Sequence, residues 1–185
     1  MANSDGAFGL RPVRHLTGGE IRTNEYAIAA SSSAMYTGSL TIATAAGGCT
    51  IAAADSTDIL GVFTGCFYTD PTSSKPTWSK YWPNNAASDA VAFVCDDPDV
   101  VYEVQTDGTV TDAAINANAD SAGVSGSTTT GVSTTELSST ITGSGTAQLR
   151  IIGRSKDPDN TDTSAANSNW YVIINEHAYR QTTGT

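Results

Sequence analysis

The sequence predicts an all-β (mainly β) protein, a barrel or sandwich body with one short helix and an extended N-terminal arm. Three observations carry that expectation. Apolar residues recur in many short alternating runs separated by Gly, Pro, Asn and Asp, the pattern of strands and turns. The 185 residues include 27 Thr and 20 Ser; Thr is β-branched and favours strands, while Ser and the 17 Gly favour turns. Only 15% of residues are charged, which argues against a helical bundle with polar outer faces.

Residues 1–24 read as the arm. Gly6, Gly9, Pro12, Gly18 and Gly19 interrupt any period, yet Phe8, Leu10, Val13 and Leu16 make the stretch more apolar than a disordered tail. Extended at ~3.3 Å per residue it reaches on the order of 70 Å, far enough to dock on a neighbouring subunit.

Residues 25–185 read as a single β-rich body with long loops at 121–145 and 153–169. Glu25–Ala29 alternates, and Ser39–Ala43 alternates again after a Thr37-Gly38 turn. Ile59–Tyr68 is the strongest strand, and its Gly61 and Gly65 point to bulges or close packing. A loop at Asp70–Pro76 leads into Thr77–Trp82, read as one aromatic strand ended by Pro83. Alternation there places Trp78 and Trp82 on one face, with Ser79 and Tyr81 on the other. Ala90–Cys95 and Val100–Gln105 are strands flanking the turn Asp96–Asp99, and Asp107-Gly108 marks another turn. Thr111–Asp120 is the helix, capped by Thr111 or Asp112. Ser121–Gly145 is loop or edge, with a turn of helix at Thr134–Ser138. Ala147–Ile152 and Trp170–Asn175 are firm strands either side of the polar excursion Gly153–Asn169.

Charge narrows the function. Nine Lys and Arg stand against 19 Asp and Glu, a net charge of −10 that repels phosphate backbones and excludes nucleic acid as a partner of the body. The imbalance is uneven. From Glu25 to Gly145, thirteen acidic residues face two bases, Lys75 and Lys80, whereas the first 22 residues carry three arginines against two acids. The three cysteines are odd in number and form no C-x-x-C, so neither a disulfide framework nor a zinc site is expected; Cys66 and Cys95 lie in apolar runs as core thiols. No apolar run is long enough to span a bilayer, so no membrane partner is expected and the product is read as soluble in a reducing compartment.

Chemistry is sparse. G-x-S-x-G, G-x-x-x-x-G-K and G-x-G-x-x-G are all missing, so the chain reads as a non-enzyme without catalytic residues, cofactor or metal. Ser144 reads as a loop serine and His177 as a surface or rim histidine. The acidic run Asp157–Asp162 opens like a calcium loop but lacks the sixth-position glycine and the distal glutamate. Asp96–Asp99 reads as a solvated turn. Trp78, Tyr81 and Trp82 are assigned to core or a subunit interface, with sugar stacking as the alternative. Arg11, Arg14, His15 and Arg22, interleaved with Phe8 and Leu10, make a protein-docking segment.

Four stretches carry a resemblance: ANSDGAFGLRPVRHLTGGEIR at the start, ILGVFTGCFYTD, CDDPDVVYEVQTDG, and the ending AQLRIIGR with WYVIINEHAYR. Together they resemble the small head proteins of tailed marine bacteriophages described as capsid decoration, or cement, proteins. The resemblance covers most of the chain except Ser121–Gly145. It implies a β-rich body, made in the host cytoplasm, that sits on the outer capsid surface of the virion as homotrimers. It implies the major capsid protein as partner, with an N-terminal arm tying capsid subunits together. On that reading Phe8, Leu10, Arg11, Arg14, His15 and Arg22 lie on the capsid. The alternatives are another virion component (minor head, fibre-base or tail protein) and a carbohydrate-binding β module.

Overall fold

The computed structural model describes residues 3–158, 160, 162 and 165–182. Fifteen strands run through the described residues: β1 (Arg11–His15), β2 (Asn24–Ala27), β3 (Met35–Tyr36), β4 (Leu40–Ala43), β5 (Cys49–Ile51), β6 (Ile59–Thr69), β7 (Pro76–Ser79), β8 (Tyr81–Trp82), β9 (Val91–Cys95), β10 (Val100–Gln105), β11 (Asn118–Ala119), β12 (Ser121–Ala122), β13 (Glu136–Leu137), β14 (Leu149–Arg154) and β15 (Asn169–Ile174). The chain is mostly β, as its composition predicts. No helix among the described residues is long and apolar enough to cross a membrane.

Two antiparallel sheets dominate. One runs β1-β10-β15-β14-β11, and the other runs β2-β9-β6-β4-β5 with β7 also paired to β6. They pack face to face. Val100, Tyr102 and Val104 of β10, with Trp170, Val172 and Ile174 of β15, meet Leu40, Ile59 and Val62 of the second sheet in one buried cluster. This is a sandwich core, with inward residues alternating along β10 and β15. A second cluster lies on the far side of the β6 sheet, where Leu60, Phe63, Cys66 and Val94 pack with Met35 and Trp82 of the small β3–β8 ladder.

Strand β6 serves both clusters, and its glycines show how. Adjacent Thr41 and Ile42 pair with Gly61 and Ile59, so Leu60 is an extra residue; adjacent Val94 and Phe93 pair with Phe63 and Gly65, so Thr64 is another. Each bulge reverses the alternation. Leu60, Phe63 and Cys66, three apart, therefore all reach the second cluster. Gly61 also permits close approach, since a Cβ there would sit 2.2 Å from the Cys95 carbonyl oxygen.

Three expectations are corrected. The helix over Thr111–Asp120 shrinks to a 3-10 turn at Asp112–Ala114. Asn116 adopts φ of 70°, and its N–H donates to the Ile151 carbonyl at 2.9 Å, so the edge of β14 draws this chain into β11 instead. The turn of helix expected at Thr134–Ser138 is β13, whose Leu137 is buried in the sandwich core. Thr77–Trp82 is two strands, because Lys80 breaks the run; β7 pairs β6 while β8 pairs β3.

The N-terminal segment also differs from a free arm. Arg11–His15 is an edge strand paired to β10, and Leu10 is 1% exposed in the sandwich core. Leu10 is therefore withdrawn from any partner surface. Its entry depends on two glycines crossing at close range: Gly9 has φ of 71°, and a Cβ on it would lie 2.7 Å from the Gly38 carbonyl oxygen.

Candidate interaction surfaces

The basic residues of the N-terminal segment are largely spent on the body's own carboxylates. Arg11 packs over the Phe8 ring at 4.8 Å and pairs with the buried Glu103, which also accepts from the Ser155 hydroxyl. His15 Nε2 lies 3.3 Å from Asp97, and the Leu16 N–H donates to the Asp99 carbonyl at 2.8 Å. Nearer the N-terminus, the Gly6 N–H donates to the Gln105 side-chain oxygen at 2.9 Å. Arg14 alone of the four basic residues is exposed without an ion pair among the described residues. Beside it, Val13, Leu16 and Ile21 are 38%, 43% and 37% exposed, so the apolar side chains offered outward differ from Phe8 and Leu10.

The turn after β9 is not solvated at its first residue. Asp96 is fully buried and accepts from Arg22 Nε at 3.1 Å, Asn24 Nδ2 at 2.9 Å, Tyr26 Oη at 2.5 Å and Tyr179 Oη at 3.0 Å. Burial alone would raise the Asp96 carboxyl; the bonds from Tyr26, Asn24, Tyr179 and Arg22 outweigh it and hold the group below the ordinary aspartate value. Burial, then the bonds to Asp96 and Tyr179, push the Tyr26 phenol upward. Asp99 pairs with Arg180, so the segment around Arg22 and the one around Arg180 meet at this turn.

His177, expected at the rim, is buried. Its Nδ1 accepts from the Tyr179 N–H at 3.2 Å, which assigns the ring proton to Nε2, a buried atom without a partner among the described residues. Burial, helped by the nearby Arg180 charge, lowers its pKa to about 4, so the ring is neutral at pH 7. All three thiols are buried and free; burial pushes Cys49 and Cys66 to about 12 and raises Cys95. Ser144 lies in a surface turn, its hydroxyl 2.7 Å from that of Thr146. Of the acidic run Asp157–Asp162, Asp159 and Thr161 lie outside the described residues.

The three aromatics do not form one platform. Trp82 is 3% exposed and meets the Tyr68 ring edge-on at 5.4 Å, while Tyr81 stacks on Tyr36 at 5.8 Å. Only Trp78 faces solvent, 58% exposed. It pairs across strands with Phe67, itself 42% exposed, and Phe67 pairs with Val91, which pairs with Ala27. These four residues make one apolar row across β7, β6, β9 and β2. Sequence reasoning singled out Trp78 but missed Phe67, because the bulge at Thr64 changes which residues of β6 face outward.

No protein-family model, curated protein or solved structure matches this chain.

Proposed function

We propose that this chain is a structural virion protein that binds the outer surface of an icosahedral phage head as a decoration, or cement, protein and acts as a homotrimer. The carrying observation is the apolar row ending in Phe67 and Trp78. A large aromatic beside a second one on a solvent-facing sheet is the kind of anchor that dominates protein interfaces once desolvated. The row lies on an acidic body, which fits a protein partner better than a nucleic acid. Val13, Leu16 and Ile21 add a second apolar surface, and linking weak contacts within a trimer raises their effective concentration.

Sugar stacking is less favoured, because Trp82 is in the core and Tyr81 is stacked against Tyr36. The test is the protein's mass by light scattering, followed by co-sedimentation with undecorated heads. A trimer that saturates heads, and whose Phe67→Ser and Trp78→Ser variant does not, supports the proposal. A monomer that leaves heads bare overturns it.

A further inference from the structure

The five-stranded sheet has a second face, turned away from the sandwich core, and two bulges shape it. On β1, Pro12 and Arg14 pair with the adjacent residues Tyr102 and Val101, so Val13 is the extra residue. On β14, Ile151 and Gly153 pair with adjacent Val172 and Tyr171, so Ile152 is extra. Strands β1 and β14 are separated by β10 and β15, yet both extra residues line one groove of about 530 Å³, along with Arg14, Arg154, Lys156 and Tyr171. Bulges re-aim side chains and recur beside binding sites.

The groove's charge is opposite to that of the chain. Three of the nine Lys and Arg line it, and no Asp or Glu does among the described residues, although the chain carries −10. Arg14 and Lys156 are exposed. Arg154 sits over the Trp170 ring at 4.6 Å and donates from Nε to Asp112 at 2.6 Å, and its Nη1 is buried without a partner among the described residues. Val13, Ile152 and the Tyr171 ring supply an apolar floor between these cations.

We infer that this groove docks a short acidic peptide segment of a protein partner, its carboxylates received by Arg14 and Lys156 and its carbon chain laid on Val13, Ile152 and Tyr171. Guanidinium groups take carboxylates in forked pairs. The floor has no use for a bare oxyanion but suits side-chain methylenes. A long polyanion would run off the cations onto the acidic body and be repelled, which limits the ligand to a short segment. Strand β1 ends its sheet, so its outer N–H and C=O groups offer an extended peptide main-chain bonds beside the groove. The site stands whether or not the chain binds heads.

The test is an amide-resolved NMR titration of the full chain with a short capped peptide of glutamates flanking one leucine. Saturable shifts should concentrate at Val13, Arg14, Ile152, Arg154 and Tyr171 and fade at high salt. The Arg14→Glu and Lys156→Glu variant should bind at least about tenfold more weakly. Gly153 lines the groove, and a Cβ on it meets nothing within 4 Å, so Gly153→Leu should fill the groove and lower affinity with charge unchanged. Circular dichroism identifies a misfolded variant, and the charge-reversal pair then carries the test alone. The inference is overturned by shifts that never saturate or lie elsewhere, by equal binding of a lysine peptide, or by undiminished affinity in the charge-reversed variant. Inorganic phosphate saturating the same amides at equal affinity also overturns it, assigning the groove to a small oxyanion. The same variants on heads separate the readings: peptide binding with bare heads removes the shell role and leaves the groove.

Discussion

The Arg22 guanidinium donates to the fully buried carboxylate of Asp96 at 3.1 Å, closing a span of 74 residues and fixing where the N-terminal segment turns into β2. Four donors converge on that carboxylate, and replacing it by an apolar group leaves all four without this acceptor, though the half-exposed Arg22 and Tyr179 can turn to water. Asp96→Ala is expected to cost about 2–3 kcal/mol, the range for losing hydrogen bonds to a buried charged group when the opposite charge stays partly hydrated. Urea unfolding checks it; a loss under about 1 kcal/mol would sink the view of this turn as a structural hub.

Acid sensitivity is expected from His177. Its folded pKa is depressed to about 4, below the usual 6.5, so the unfolded chain binds the extra proton in between. Stability due to this group is fully present above pH 6.5 and is lost as pH falls toward 4, by on the order of 3 kcal/mol. Asp96, also held low, adds loss only below the ordinary aspartate range. His177→Gln should flatten the slope between pH 6.5 and 4 in a stability–pH series; an unchanged slope assigns the loss to other groups.

Trp78 and Trp82 are expected to separate binding from stability. Trp82→Ala opens the second core and should cost about 3–5 kcal/mol. Trp78→Ala touches a side chain 58% exposed and should change stability by no more than about 0.5 kcal/mol. Head binding should follow the opposite order among folded variants. Equal head binding by wild type and Trp78→Ala would remove this residue from the interface.

For the N-terminal segment, deletion is a poor probe, because it removes β1 and takes Leu10 out of the core. Leu10→Ala alone should cost about 2–5 kcal/mol in a thermal or urea melt. Converting Val13, Leu16 and Ile21 to Ser should leave the fold intact and reduce head occupancy. Full occupancy with that triple variant would confine binding to the aromatic row.

Much of the fold was legible in the sequence. Val100–Gln105 runs from end to end as expected, and the two glycines of Ile59–Tyr68 do mark bulges. What escaped depends on contacts distant in sequence. RPVRH lacks alternation and becomes a strand only because β10 offers it an edge. Leu10 is buried through the meeting of Gly9 with Gly38, which no local pattern announces. TWSKYW alternates on paper, but Lys80 resets the phase and sends its two tryptophans to opposite environments. In the N-terminal segment Arg11, His15 and Arg22 satisfy the body's own acids, which leaves Arg14 with Val13, Leu16 and Ile21 outward.

The paired bulges of β6 have a mechanical consequence. A strand that kept strict alternation would belong to one interior and form a skin over the other; this one is a shared axle, with Ile59 and Val62 in one cluster and Leu60, Phe63 and Cys66 in the other. Neither interior can loosen without slackening the strand that both grip. The two should therefore melt together, as a single calorimetric peak, and a load applied at the Trp78 surface is carried through β6 into the sandwich behind it.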